Sequence, residues 1–336
     1  MTRAIARVKQ TAMKTLLLMT SFLFACQHGQ TSSQVQGDLG FGEVAPDLAS
    51  GGANDLSVVA STDGSSSDGS LAPDLAVDAP EFRIATFNLH CLFDSPDVRE
   101  SGIAAEAVSR GVDALAVQEA CESASGNGSD NAAAAIATNL TALTGHTWSA
   151  YWVMTHLAWS NQYREGVAVI ARADWMTSDK GEIDLPYEDG LARKAAWVRL
   201  ATDHGGLYLY STHFSISSDD QDRVHESQTI LADTATHLSE GLPMVVCGDF
   251  NSTPTQPAIP TMIAGPPAFV DTWASKNPGQ NGYTIDATNP HARIDYVFVN
   301  GSALGTINTM EIAFDQQYMN VWMSDHFGLF VDFTAK

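Results

Sequence analysis

From Glu81 onward the chain consists of short apolar runs bounded by Gly, Asp and Asn, and helical patterns separate only some of them. Candidate strands are Arg83 to Leu89, Ala114 to Gln118, Trp148 to Met154, Gly166 to Ala171, Ala195 to Ala201, Leu207 to His213, Met244 to Cys247, Asp295 to Val299, Ile307 to Ile312 and Gly328 to Phe333. Candidate helices are Val98 to Arg110, Asn131 to Leu143, Gln221 to Leu238 and Gln256 to Ile263. Trp148 to Met154 is followed by Gly166 to Ala171 with no helix between them, and Ala195 to Ala201 is followed by Leu207 to His213 in the same way. Such neighbours close into antiparallel hairpins, which disfavours a doubly wound parallel sheet. The expectation is one α/β domain over residues 81–336, with two mixed β-sheets packed face to face and helices outside.

Polar residues recur where these runs end. Asn88 follows RIATF, Glu119 follows ALAVQ, His213 closes LYLYSTH, Asp249 and Asn251 follow MVVCG, and Asp325 and His326 precede FGLFVDF. Loops at strand ends of a rigid scaffold can converge on one site. Taken singly, an Asn or Glu at a strand end reads as a turn former, and a lone His as a structural residue. As an ordered set they are rich in oxygen donors and contain two histidines but no thiolate cluster, which favours Mg²⁺ or Ca²⁺ over structural zinc.

At this level of detail the sequence resembles the endonuclease/exonuclease/phosphatase superfamily, in its deoxyribonuclease I-like form, over Phe82 to Phe333. The residues that carry the resemblance are ATFNLH, AVQEA, YREGVAVIAR, STHFS, CGDFNSTP, ARIDYVFV and MSDHFG, in that order. The resemblance implies a four-layered α/β sandwich and metal-dependent phosphoester hydrolysis. It implies that Asn88 and Glu119 form the main metal pair, with Asp325 completing the coordination directly or through water, and that Mg²⁺ (or Mn²⁺ or Ca²⁺) is the cofactor. Asp249 and Asn251 would orient the attacking water and a phosphate oxygen. His326 would be supported by Asp295, and His213 by Glu165. A carboxylate on one imidazole nitrogen fixes the tautomer and favours the imidazolium, leaving the other nitrogen to donate to phosphate or pass a proton. Asp249 and His326 both remain candidates for the base that activates water. Arg193 in LARKAAW occupies the place of a phosphate-contacting arginine, and Arg164 and Arg293 are expected to ring the same pocket.

With Asn88 and Glu119 brought to one metal, Cys91 and Cys121 extend from adjacent strand ends, and a disulfide between them is expected in an oxidising compartment. Cys247, within an apolar run, reads as a buried small hydrophobe.

Compartment and charge follow from the N-terminal region. Residues 2–14 are basic and TLLLMTSFLFA is apolar but too short to span a bilayer, the pattern of an export signal. LFAC at Leu23 to Cys26 resembles a bacterial lipobox with Cys26 as the lipidation site, although Phe24 stands where a small residue is usual. The expected location is therefore extracytoplasmic, anchored to a membrane through an N-terminal lipid or secreted. Residues 27–80 are rich in Ser, Gly and Asp and repeat APDLA twice, a composition that cannot bury enough apolar surface to offset ordering entropy, so a disordered tether is expected.

Of the chain's 17 basic and 39 acidic residues, four basic ones lie before Gln27 and eight acidic ones between Gln27 and Pro80, which leaves 13 against 31 in the remainder, a net of −18. That balance argues against sequence-independent coating of nucleic acid, which rests on Lys and Arg neutralising phosphates. It leaves room for an enzyme that meets phosphate through a divalent cation. The leading expectation is a monomeric phosphodiesterase acting on nucleic acid. Hydrolysis of a phospholipid head group of the sphingomyelinase kind is the alternative, with His156, Leu157 and Trp159 as the segment that could meet a bilayer, and a phosphomonoesterase comes third. A binding lipoprotein on a catalytically dead version of the fold is the rival from another class.

Overall fold

In the computed structural model, residues 79–92, 94–187 and 190–336 are described; the expected export signal, Cys26 and all but the last two residues of the expected tether lie outside them. The strands are β1 (Glu81–Asn88), β2 (Ala114–Gln118), β3 (Glu122–Ser123), β4 (Trp148–Ala158), β5 (Tyr163–Arg172), β6 (Met176–Leu185), β7 (Arg193–Thr202), β8 (Gly205–His213), β9 (Met244–Asp249), β10 (Phe269–Asp271), β11 (Asp295–Asn300), β12 (Leu304–Ala313) and β13 (Gly328–Ala335). The helices are α1 (Pro96–Ser109), α2 (Ala132–Thr144), α3 (Asp220–His237), α4 (Ala258–Ala264) and α5 (Thr272–Lys276).

The strands form two sheets. One runs β12-β13-β1-β2-β5-β3, with β4 also paired to β5; the other runs β10-β11-β9-β8-β7-β6. Both are mixed. β1 with β2 and β8 with β9 are parallel, and the remaining pairs are antiparallel, including the two hairpins β4–β5 and β7–β8 expected from their short connections.

The four layers follow from the period of two along each strand, since alternate side chains face opposite sides of a sheet. Ile84, Leu209, Val245, Val297 and Val331 point between the sheets and form one buried cluster. Their neighbours point outward. Ala85, Leu115 and Val117 pack under Ile103 and Ala107 of α1 and Ile136 and Leu140 of α2, while Tyr208, Tyr210, Val246 and Phe298 pack under Ile230 and Leu231 of α3 and Ile259 and Met262 of α4. Strands apolar on both faces are what a sheet sandwiched between two layers requires. Each fully buried Val, Leu or Phe contributes about 1.5–3 kcal/mol by leaving water.

β6 was not among the expected strands, because its sequence, MTSDKGEIDL, is largely polar. It is an edge strand bonded only to β7 and mostly facing solvent, where charged residues protect an open edge.

Two features bring together the sheet ends that carry the polar strand-end residues. Just below those ends, Gln118 Nε2 donates to Thr86 Oγ1 (3.2 Å) and, across the sandwich, to Ser211 Oγ (3.1 Å), while Ser211 Oγ donates to Val117 O (2.8 Å). At Gly248, φ is +149° and a Cβ would lie 2.0 Å from Thr212 O, so only glycine lets β9 close on β8 beside His213.

Candidate active site

Strand register places the polar residues. The parallel pair β1–β2 sets Asn88 beside Gln118, one residue before Glu119, and the parallel pair β8–β9 sets His213 opposite Asp249. The antiparallel pair β9–β11 sets Asp295 opposite Asp249 on its other side. The C-terminal ends of both parallel pairs therefore open onto one cleft of about 390 Å³. Glu119, Glu165, Arg193, His213, Asp249, Asn251 and His326 line it.

Asp249 is the centre of the arrangement. Its Oδ2 lies 3.6 Å from His213 Nε2 and 3.8 Å from His326 Nε2, and it accepts from Asn88 Nδ2 at 3.2 Å. Its Oδ1 accepts the backbone N–H of Asn251 at 2.8 Å, which locks the carboxylate to the turn after β9. Asn251 has φ +45° and donates its side-chain amide to Phe214 O (3.0 Å), tying that turn to the end of β8.

Each imidazole has a carboxylate behind it. His326 Nδ1 donates to Asp295 Oδ2 at 2.9 Å. Burial disfavours its charged form, but Asp295, through charge and hydrogen bond, and then Asp249 and Asp325 outweigh this and push the pKa up to about 10. His213 Nδ1 lies 3.7 Å from Glu165 Oε1. Against burial and Arg193, the carboxylates of Glu165, Asp249 and Glu119 raise its pKa above the ordinary value. The expected His326–Asp295 and His213–Glu165 pairs thus flank one carboxylate.

The residues expected to form the metal pair sit beneath and beside the cleft. Asn88 is fully buried and donates to Glu119 Oε1 at 3.0 Å; Glu119 has φ +48°, an aim imposed on the backbone where β2 ends. Burial raises the Glu119 pKa, the direction expected of a carboxylate desolvated without full compensation. A hard divalent cation would supply such compensation, and the Glu119 carboxylate fits one; Asn88 turns Nδ2 toward Glu119 and accepts the His90 N–H on Oδ1 (3.0 Å), so its amide would have to turn over to offer oxygen to the ion. Asp325 faces an adjoining cavity of about 280 Å³, where its Oδ1 accepts from Ser324 Oγ (3.2 Å) and lies 3.6 Å from His90 Nδ1. Asp249, Asp295 and His326 form a second group whose donor atoms lie within 4.8 Å of one another.

Cys91 and Cys121 form a disulfide with Cα atoms 4.8 Å apart, joining the loops that leave Asn88 and Glu119. Buried Arg99 supports the same region, donating to Leu89 O (2.8 Å) and Met323 O (2.7 Å). Cys247 is a buried free thiol, as expected.

Two expected basic residues are placed elsewhere. Arg164 donates to Glu122 Oε1 and Gly126 O, and Arg293 is held in a bidentate pair by Asp271 at 3.0 and 2.8 Å. Both are partners of structural carboxylates, and neither lines the cleft. Arg193 does line it and is buried. His156, read from sequence only as part of a surface segment, lies on the cleft wall with Nε2 3.7 Å from Glu165 Oε1.

A metal-assisted phosphoester hydrolase is the class of enzyme that this fold and constellation define. Residues 85–326 match the model of the endonuclease/exonuclease/phosphatase family, and the chain belongs to that family. Its members hydrolyse phosphoesters and generally work with divalent metal ions, and the chain is a phosphoester hydrolase. Similar solved structures include a family protein from Leptotrichia buccalis C-1013-b, 21% identical with a TM-score of 0.62, covering 76% of this chain and 99% of that one. A family protein from Beutenbergia cavernae DSM 12333 is 25% identical with a TM-score of 0.59, covering 76% and 72%. The mannosyl-6-phosphatase of Bacteroides thetaiotaomicron VPI-5482 is 17% identical with a TM-score of 0.57, covering 75% and 99%. No curated protein sequence matches the chain.

Proposed function

We propose that the protein is an extracytoplasmic, divalent-metal-dependent phosphodiesterase of the deoxyribonuclease I-like kind. The observation that carries this reading is the position of Asp249 Oδ2 between two imidazoles, each backed by its own carboxylate. Diester hydrolysis needs a water in line with the leaving oxygen, neutralisation of the non-bridging oxygens and a proton for the leaving group. In this reading Asp249 accepts the proton of that water. His213, His326 and Arg193 supply positive charge to the non-bridging oxygens, and one imidazolium releases its Nε2 proton to the leaving oxygen. Asn88 and Glu119 would hold Mg²⁺, with Asp325 alongside, and the bound ion supplies further charge neutralisation on the phosphate.

A second reading, a phospholipid or other amphiphilic phosphodiester as substrate, is favoured by the cleft mouth, where Leu157, Trp159 and Ile216 are exposed apolar residues. The Cys91–Cys121 bridge supports an exported location, as do the features of residues 1–26. Lipid anchoring at Cys26 and a monomeric state are part of the same proposal.

The test is a panel of plasmid DNA, RNA, sphingomyelin and bis(p-nitrophenyl) phosphate, each with Mg²⁺, Mn²⁺, Ca²⁺ or EDTA. Nicking of DNA that EDTA abolishes is the expected result. Turnover of sphingomyelin alone would replace the nuclease with the lipid reading, and turnover of nothing would leave a binding protein.

A further inference from the structure

Leu157, Trp159 and Ile216 are 43, 52 and 63% exposed, and all three line the cleft that holds His213, Asp249 and His326. Apolar residues scattered singly over a surface need no explanation, whereas a group of them at one cleft marks a contact site. Both sheets contribute. Leu157 and Trp159 stand at the tip of the β4–β5 hairpin, and Ile216 lies in the loop that leaves β8 after His213. Leu191 adds a fourth apolar side chain to the lining.

Each lip is held in place. At the hairpin tip Trp159, Ser160 and Asn161 all take the left-handed conformation, with φ of +52°, +57° and +62°. Asn tolerates that region, but a bulky residue such as Trp rarely enters it, so the turn keeps the indole at the mouth at a cost to its own backbone. Gln162 N donates to Ala158 O (3.1 Å), Ala124 N donates to Gln162 O (2.9 Å), and the indole meets the His90 ring edge-on with centroids 6.0 Å apart. On the other lip, fully buried Glu226 accepts from Ser215 N (3.1 Å) and Ser215 Oγ (2.7 Å), and buried Arg223 donates to Ser215 O (3.2 Å) and Ser217 O (2.5 Å). The backbone on both sides of Ile216 is thus fixed from α3 while its side chain stays exposed.

The charged lining suits a single phosphate. Arg193 is the one Lys or Arg among the described residues that line the cleft; Arg164 and Arg293 are held by Glu122 and Asp271, and Lys194 by Glu182 (2.9 Å) and Asp184 (3.0 Å). A track for a polyanion draws on a row of such residues. A cleft of about 390 Å³ with apolar walls and a few convergent polar groups is what a small amphiphilic ligand requires.

We propose that Leu157, Trp159 and Ile216 form a subsite, built from both sheets, that seats the apolar group esterified to the substrate phosphate and so sets specificity for alkyl or aryl phosphodiesters. The proposal rests on the second reading above and deepens it by naming the residues that select the substrate.

The test uses phosphonates, whose P–C bond the enzyme cannot hydrolyse. Calorimetric titration of the full chain with Mg²⁺ compares methyl-, hexyl- and phenylphosphonate. Hexyl- and phenylphosphonate are expected to bind at least about 10-fold more tightly than methylphosphonate, since one methylene in an enclosed pocket is worth about 10- to 200-fold and this mouth is open. W159N/I216S keeps a residue that tolerates positive φ at the turn and removes apolar surface from each lip; it is expected to bring the ratio down to about threefold or less. L143S, at an exposed leucine of α2 outside the cleft lining, is expected to keep the wild-type ratio. A wild-type ratio within twofold for both probes, or one that W159N/I216S leaves intact, would overturn the proposal. A gain for one probe alone supports it and names the chain or the ring as the group seated. If W159N/I216S does not fold, I216S carries the comparison, with a fall of at least about threefold expected. Turnover separates the underlying reading: sphingomyelin left intact by a wild type that still prefers hexylphosphonate removes that lipid as substrate and keeps the subsite, whereas sphingomyelin hydrolysed without such a preference keeps the reading and removes the subsite.

Discussion

Asp249 Oδ2 lies 3.6 Å from His213 Nε2, in adjacent parallel strands whose register makes the two residues direct neighbours. A β-ladder, not a mobile loop, thus sets the distance between the candidate base and one of the two imidazoles that line the cleft. That rigidity makes single substitutions here interpretable.

Replacing Asp249 with Asn keeps an acceptor for the Asn251 backbone N–H but removes the base. Turnover is expected to fall by about 10²- to 10⁴-fold, the range for loss of a general base, with an unchanged circular dichroism spectrum. Steady-state kinetics at saturating Mg²⁺ measures this, and a loss of only a few-fold would transfer the role of base to His326.

The His326–Asp295 pair predicts a pH-dependent stability. The native pKa of His326, about 10, lies above its ordinary value, so the native state holds a proton that the unfolded chain releases near pH 6.5. The contribution is full below about pH 6.5 and lost as pH rises through about 10. Melting temperatures of the wild type and D295N across this window should converge at high pH and diverge toward neutrality, with D295N the less stable.

Glu226 on α3 predicts the opposite slope. It is fully buried, and burial pushes its pKa up to about 7 even though it accepts from the N–H and hydroxyl of Ser215. The unfolded chain loses this proton near pH 4.5 while the native state keeps it to about 7, so stability falls across that interval and then levels, by at most about 3 kcal/mol. E226Q retains an acceptor for Ser215 and cannot ionise. Denaturant titrations should find it close to wild type at pH 5 and more stable at pH 8.

Reduction of Cys91–Cys121 should lower both stability and activity. Closing a loop with a sequence separation of 30 restricts the unfolded chain by about 3–4 kcal/mol in the chain-entropy description. The bridge also joins the loops after Asn88 and Glu119. The double variant C91S/C121S is therefore expected to melt lower and to need more Mg²⁺ for half-maximal rate; a lower melting point with unchanged Mg²⁺ dependence would confine the bridge to stability.

Much of the fold was legible because strands buried on both faces leave continuous apolar runs, and every one of the ten expected strands lies within or overlaps an observed one. The edge strand β6 was not, because an exposed edge selects against the signal that marks a strand. Short elements such as β10 and α5 are likewise defined by their partners rather than by a pattern of their own.

For the site, sequence determined which residue types stand at the strand ends, since donors for a hard cation and carboxylate-backed imidazoles have few substitutes. Tertiary structure decided how they are shared. Arg164 and Arg293 are expected from sequence to ring the pocket and are instead held by Glu122 and Asp271, carboxylates 42 and 22 residues away. His156 looked like a surface residue and faces Glu165 because one inserted residue reverses the side-chain alternation of β4. A pattern along the chain records the chemistry available to it, whereas register, bulges and contacts between the two sheets assign that chemistry to partners, and those depend on neighbours that no local sequence contains.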